Sequence, residues 1–363
     1  MSGPALPDFP WDSLAEPAAT ARAHSGGIVD LSVGTPVDPV ADSIRAALAS
    51  VSDVPGYPAT HGTPALREAA VGALRRRHGV GGIEPDAVLP TIGSKELVAW
   101  LPTLLGVGAG DTVVIPELAY PTYEVGALLA GAAIARTDGL TALGPARPKL
   151  LWVNSPSNPT GKVLGLAHLR KVVEWARQRG TVVVSDECYL ALGWESDPVS
   201  ILHPDVHGGS LDNLLAVHSL SKSANLAGYR AGFVTGDPAL VRDLLAVRKH
   251  AGMIVPRPVQ EAMTVALNDD EALREQRVRY AARRAVLRPA LERAGFRIDD
   301  SEAGLYLWAT RGEPARETVD WLARRGILVA PGTFYGPRGG EHVRVALTAT
   351  DERINAAAER LAE

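Results

Sequence analysis

The chain has 363 residues and a formal net charge of −4, from 37 lysines and arginines against 41 aspartates and glutamates. That length allows two domains of ordinary size with a large buried core, and interspersed charges of both signs leave no electrostatic footprint for nucleic acid or an anionic membrane surface. The single cysteine, Cys188, excludes an intrachain disulfide framework and a thiolate metal cluster, the nine histidines show no metal-ligand spacing, and neither a leader-like segment nor a run of ~18 apolar residues is present, so a cytoplasmic protein is expected.

From about residue 40 to about 250, apolar β-branched runs alternate with helical patterns. A strand-like Ala87-Val-Leu-Pro90 leads through Ile92-Gly93-Ser94-Lys95 into the helical Glu96–Leu101. The amides of Ser94 and Lys95 at such a helix start form an anion site. Strand candidates follow at Val113–Ile115, Leu150–Val153, Thr181–Val184, Leu214–His218 and Ala231–Thr235. The alternation predicts an α/β domain over residues 40–250, with a mostly parallel sheet covered by helices on both faces. An arginine-rich helical stretch from Glu271 to Ala294 reads as a solvated face. Shorter strand candidates at Phe296–Ile298, Leu305–Trp308, Ile327–Ala330 and Val343–Leu347 predict a smaller α+β domain from residues 251–363, joined by residues 1–39.

The chemistry concentrates in Ser219-Leu-Ser221-Lys222-Ser-Ala-Asn-Leu-Ala-Gly-Tyr-Arg230. One lysine with flanking hydroxyls and an arginine eight residues on is what a pyridoxal phosphate site needs. An amine forms a Schiff base with the cofactor aldehyde, while Ser219, Ser221 and Arg230 hold a dianionic phosphate. Lys222 is the aldehyde-bearing candidate, and its pKa has to fall for it to serve as nucleophile and base. Asp186 closes the buried strand pattern Thr181–Ser185, at the carboxyl end where ligands of open α/β sheets collect. A carboxylate there keeps a pyridine nitrogen protonated, which makes the ring an electron sink. Tyr189, three residues on, can donate its phenol proton to the cofactor O3′ oxygen. The loop Asn154-Ser-Pro-Ser-Asn158-Pro-Thr-Gly161 terminates another strand, and Asn158 is placed to bond O3′ and help anchor a substrate carboxylate. Cys188, inside the Asp186–Tyr189 motif, reads as a buried small thiol rather than a nucleophile.

Asn158-Pro-Thr-Gly, Asp186-x-x-Tyr189 and Ser219-x-Ser-Lys222 with Arg230 are separated by 28 (158 to 186), 36 (186 to 222) and 8 (222 to 230) residues. In order, spacing and residue type this set resembles the class I/II aminotransferases of the aspartate aminotransferase family. The resemblance implies the fold-type I architecture of pyridoxal phosphate enzymes. It also implies that Ser94 and Lys95 cradle the phosphate, that Tyr120 stacks on the pyridine ring, that Arg344 grips the substrate α-carboxylate, and that Gly34 lies over the same carboxylate. Tyr57 resembles the tyrosine that reaches the phosphate of a neighbouring subunit, which implies a homodimer.

Longer stretches, among them Asp30–Asp38, Gly93–Leu101, Ser185–Glu195 and Val343–Asp351, look like the N-succinyldiaminopimelate aminotransferases of lysine and cell-wall biosynthesis. Two positions depart from that group, Ser223 where a basic residue is frequent and Arg257 where a small one is. The implied reaction is ping-pong. Glutamate leaves as 2-oxoglutarate, and N-succinyl-2-amino-6-oxopimelate then takes up the amino group. Arg257 and Lys249 are candidates for a distal substrate carboxylate. An aspartate or aromatic aminotransferase, or a β-lyase, would keep every residue named and change only the side-chain pocket. A non-catalytic sensing module would need a DNA-binding domain ahead of the fold, and the segment before Leu31 carries no basic recognition helix.

Overall fold

The computed structural model describes residues 5–363. A two-residue strand, β1 (Val29–Asp30), precedes the series β2 (Val88–Ile92), β3 (Thr112–Ile115), β4 (Ala133–Arg136), β5 (Leu150–Asn154), β6 (Val182–Asp186), β7 (Leu214–Ser219) and β8 (Ala231–Gly236). These seven form one sheet in the order β2-β8-β7-β6-β5-β3-β4. Only β8 runs against its neighbours, and the other pairings are parallel. Residues of β5 to β8 are buried throughout, as expected for strands covered on both faces. Alternation along each strand divides the burial. Trp152, Val184, Leu215 and Val217 pack with helices Gly93–Leu104, Thr122–Leu129 and Pro238–Ala251. Leu151, Val153, Val183 and Ala216 face helices Pro64–His78, Leu166–Arg177 and Arg257–Asn268.

The remaining strands are β9 (Arg297–Asp299), β10 (Tyr306–Thr310), β11 (Ile327–Leu328), β12 (Ala330–Pro331) and β13 (His342–Ala346). Four of them make an antiparallel sheet, β12-β13-β10-β9. Strand β11 takes β1 in parallel, so the amino-terminal segment joins this second sheet region. Leu14, Val29 and Leu31 share a core with Tyr280, Leu305, Val343 and Ile354. Among the described residues, no helix is long and apolar enough to cross a membrane.

Three details differ from the sequence reading. Strand β4 is an edge whose Ala-Ile-Ala-Arg pattern is too weakly apolar to stand out. Helix Arg257–Asn268 packs on the large sheet through Val259, Met263 and Leu267, so we propose a domain boundary near residue 269 rather than 250. Finally, helix Asp270–Arg293 is not merely a solvated face. Its Arg283 is 3% exposed and donates to both oxygens of Asp38, at 2.6 and 2.8 Å, and to Asp351 at 2.7 Å. A buried guanidinium paired this way ties the chain entry at Asp38 to the last helix, Asp351–Arg360.

Candidate active site

The carboxyl ends of β2, β5, β6 and β7 open into a cavity of about 810 Å³. Gly34, Ser94, Lys95, Tyr120, Asn158, Asp186, Tyr189, Ser219, Ser221, Lys222, Arg230 and Arg344 all line it. Tyr57 lies outside it, fully exposed.

One end suits a dianion. Helix Gly93–Leu104 presents its first N–H groups, which have no intrahelical acceptor. Gly93 adopts φ +72°, and a Cβ there would run into the Arg230 guanidinium, so only glycine lets the two meet. Arg230 itself is held at φ 57° and donates to Ala227 O at 2.7 Å. Ser219 and Ser221 are buried beside it, and Ser219 Oγ accepts from the Ser221 amide at 3.1 Å. A hidden ion pair braces this cradle. Arg248, 0% exposed, donates to both oxygens of Glu96 at 2.9 and 3.0 Å, and Glu96 Oε2 accepts the Ile92 amide at 3.3 Å.

Deeper in, the Asp186 carboxylate takes Tyr123 Oη at 2.7 Å on one oxygen and the Cys188 amide at 3.2 Å on the other. Tyr123 stacks on Trp152 with ring centroids 4.7 Å apart. Burial pushes Asp186 up, against the hydrogen bonds from Cys188 and Tyr123. A buried carboxylate in that state gains from a cationic partner such as a pyridinium. Cys188, half-buried in the cavity wall, has its thiol pushed up by burial and by the neighbouring Asp186 carboxylate. The Tyr120 ring meets Tyr123 edge-on at 5.8 Å, and burial raises its phenol to about 12.

Lys222 Nζ donates to Gly34 O, and Tyr280 Oη donates to Lys222 O at 3.2 Å. Burial lowers the lysine pKa, and the cations of Arg344 and Arg230 add to that effect. Arg344 is buried on β13. It donates from Nη1 to Asn158 Oδ1 at 2.8 Å and from Nη2 to Ser32 O at 2.7 Å, while Nε has no partner. With two of five donors engaged, the fork retains capacity for a carboxylate. Its face lies 3.9 Å from the Tyr306 ring centroid, and Tyr306 Oη shares a 2.9 Å hydrogen bond with Tyr189 Oη. A Cβ on Gly34 would collide with the Tyr306 hydroxyl, which accounts for glycine at that turn.

Sequence reading missed Tyr123, Tyr306 and the segment Leu6–Trp11, which also lines the cavity. It also missed Asn154, whose Oδ1 accepts the Asn158 amide at 2.7 Å and whose Nδ2 donates to Asp186 O at 2.9 Å. Conversely, neither Arg257 nor Lys249 lines the cavity of its own chain. Arg257 is taken by Glu261, one helical turn on, at 2.8 Å.

The family model for "Aminotransferase class I and II" matches residues 27–361. The chain belongs to the class I and II aminotransferases. This aminotransferase is 68% identical over 356 residues to a probable aminotransferase of Mycobacterium tuberculosis, covering 98% of this chain and 85% of that one. It is 60% identical to the 4-dedimethylamino-4-oxo-anhydrotetracycline transaminase OxyQ of Streptomyces rimosus, covering 98% and 99%. The structure of a probable N-succinyldiaminopimelate aminotransferase from Thermus thermophilus superposes with a TM-score of 0.88 at 29% identity, covering 97% of this chain and 99% of that one. The fold is therefore that of the fold-type I aminotransferases, and the cofactor is pyridoxal phosphate. The residues present fit it: a glycine-cleared cradle for the phosphate, a buried acid for the ring nitrogen and a depressed lysine between them.

Proposed function

We propose that this aminotransferase moves an amino group between glutamate and N-succinyl-2-amino-6-oxopimelate, yielding 2-oxoglutarate and N-succinyl-L,L-diaminopimelate. The observation that carries the reading is that one cavity is lined by two well-separated kinds of cation. Arg344 stands on the small antiparallel sheet, whereas the free cation of Lys95, which lines the same cavity, sits on the large-sheet side over Phe9. A long substrate with carboxylates at both ends matches that spread of charge. The relationship to the Thermus thermophilus protein supports it.

Within this reading Arg344 orients the α-carboxylate and Asn158 steadies the guanidinium. Lys222 holds and moves the Cα proton, Asp186 balances the ring nitrogen, and Tyr189 with Tyr306 donates toward O3′. The cofactor, when bound, supplies the electron sink for the carbanion. A second reading, a bulky apolar ketone as amino acceptor, is favoured by the wall of Phe9, Trp11 and Phe334 and by the Streptomyces rimosus relative.

Single amino donors mixed with the loaded enzyme and followed by cofactor absorbance separate the two. Glutamate and N-succinyl-L,L-diaminopimelate are expected to react about tenfold or more faster than L,L-diaminopimelate or alanine, the difference a charge-matched contact makes. Equal rates with and without the succinyl group sink the first reading.

We further propose a homodimer in which the exposed Tyr57 reaches the partner's phosphate site. Mixed dimers of Tyr57→Phe and Lys222→Ala chains then carry one intact site and are expected to exceed either parent in activity. No gain on mixing places Tyr57 outside the partner's site.

A further inference from the structure

Behind the Asp186 strand end lies a second, small cavity of about 50 Å³, walled by the segment Glu187–Leu192 that follows β6, by His218 and Ser219 of β7, by Phe233 of β8 and by helix Pro64–His78. Glu187 and His218 face each other across it, with Glu187 Oε2 and His218 Nε2 3.8 Å apart. Both atoms are buried without a hydrogen-bond partner. The distance is too long for a direct bond, and a buried polar atom left unpaired carries the full cost of its lost hydration. Neither side chain is otherwise loose. Glu187 Oε1 accepts the Ile201 amide at 2.7 Å, and His218 stacks on Phe233 with ring centroids 4.8 Å apart.

A water needs roughly 10–15 Å³ and two or more polar partners, and this cavity offers both. We propose that a buried water bridges Glu187 Oε2 and His218 Nε2, and that Glu187 is a positioning residue for the cofactor site. Its neighbours make the connection. Glu187 follows Asp186 on β6 and bonds the turn at Ile201, while His218 precedes Ser219 on β7. The bridge therefore fixes the two strand ends that present the ring-nitrogen acid and a phosphate hydroxyl. This rests on the cofactor assignment and is independent of which substrate is used.

The charges around the pair are few. His78 and Arg77 approach from helix Pro64–His78, and Arg77 is held by Asp270 at 2.6 Å. Asp186 and Cys188 flank Glu187 on its own strand end, and β8 contributes only Phe233. Burial, with Asp186 adding to it, raises Glu187 to about 7, whereas burial lowers His218 to about 3. A carboxyl raised in the folded state adds stability that is full below its ordinary range and is lost as pH rises through about 7. Glutamine at 187 keeps the shape and the hydrogen-bond donor and has no such loss. His218 is common to both proteins, so its opposite effect cancels in the comparison.

Three measurements on the full chain test this. In a crystal structure of the loaded enzyme, a water within hydrogen-bond reach of both atoms is expected, and an empty cavity overturns the proposal. In melts of the apoprotein, Glu187→Gln is expected to gain a few degrees on the wild type between pH values about one unit either side of 7; parallel curves overturn it. In fluorescence titrations with pyridoxal phosphate, wild-type affinity relative to Glu187→Gln is expected to fall several-fold over the same interval, with Glu187→Ala weaker than both at the lower pH. A glutamine variant as weak as the alanine one, or an alanine variant equal to wild type there, removes the positioning role.

Discussion

Replacing Lys222 with alanine is expected to take transaminase activity to background, a loss on the order of 10⁴-fold or more, because in the proposed role one amine serves as covalent anchor and as proton carrier. The variant retains the cradle of Ser219, Arg230 and the Gly93 helix start, so it still binds pyridoxal phosphate, now without the absorbance of the lysine-linked form. Small added amines restore part of the rate. Wild-type turnover by this variant, without added amine, would falsify the assignment. The depressed pKa of Lys222 sets a pH signature as well. The free amine is present below the ordinary lysine range, so the rate at which apoprotein captures the cofactor rises with pH through that lowered value and then levels.

The second large effect is expected at Arg344. In its proposed role, truncation to alanine removes a bidentate hold on the α-carboxylate and is expected to slow both half-reactions by roughly a hundredfold or more in kcat/KM. Arg344→Lys keeps the charge and loses the fork, so it recovers little. Because Asn158 Oδ1 and Ser32 O both accept from this guanidinium, the alanine variant also melts earlier than wild type, with two buried acceptors unpaired. If glutamate and the long keto acid were slowed to very different extents, the shared α-carboxylate role would be wrong.

How far the sequence reached depended on the range of the interaction. Strands β5 to β8 declare themselves because burial on both faces demands unbroken apolar runs. The Lys222, Asp186 and Asn158 motifs are legible because their spacing along the chain is fixed by the strands that carry them. Tyr306 and Tyr123 left no such trace. Tyr306 matters because β10 pairs with β13 in a register that sets it opposite Ala346, two residues from Arg344, and Tyr123 because its helix folds over Trp152. Arg257 lies outside the cavity of its own chain and pairs with Glu261 four residues away, a choice of helix face that composition does not reveal. Arg283 in the arginine-rich helix is the converse case, a charge drawn inside by partners far along the chain.

The parallel pairing of β1 with β11 joins Val29 to Ile327, and Arg344 reaches back to Ser32 across 312 residues of sequence. During synthesis, therefore, the segment around β1 must wait for β11 and β13. The large sheet needs none of the final residues and can collapse while they are still being made. A nascent chain stopped before Arg344 holds the phosphate cradle and the lysine but has no carboxylate clamp. Closing so long a loop is slow. The carbonyl of Gly34 that meets Lys222 arrives with the same closure, so this lysine acquires its final surroundings only after β13 has been made.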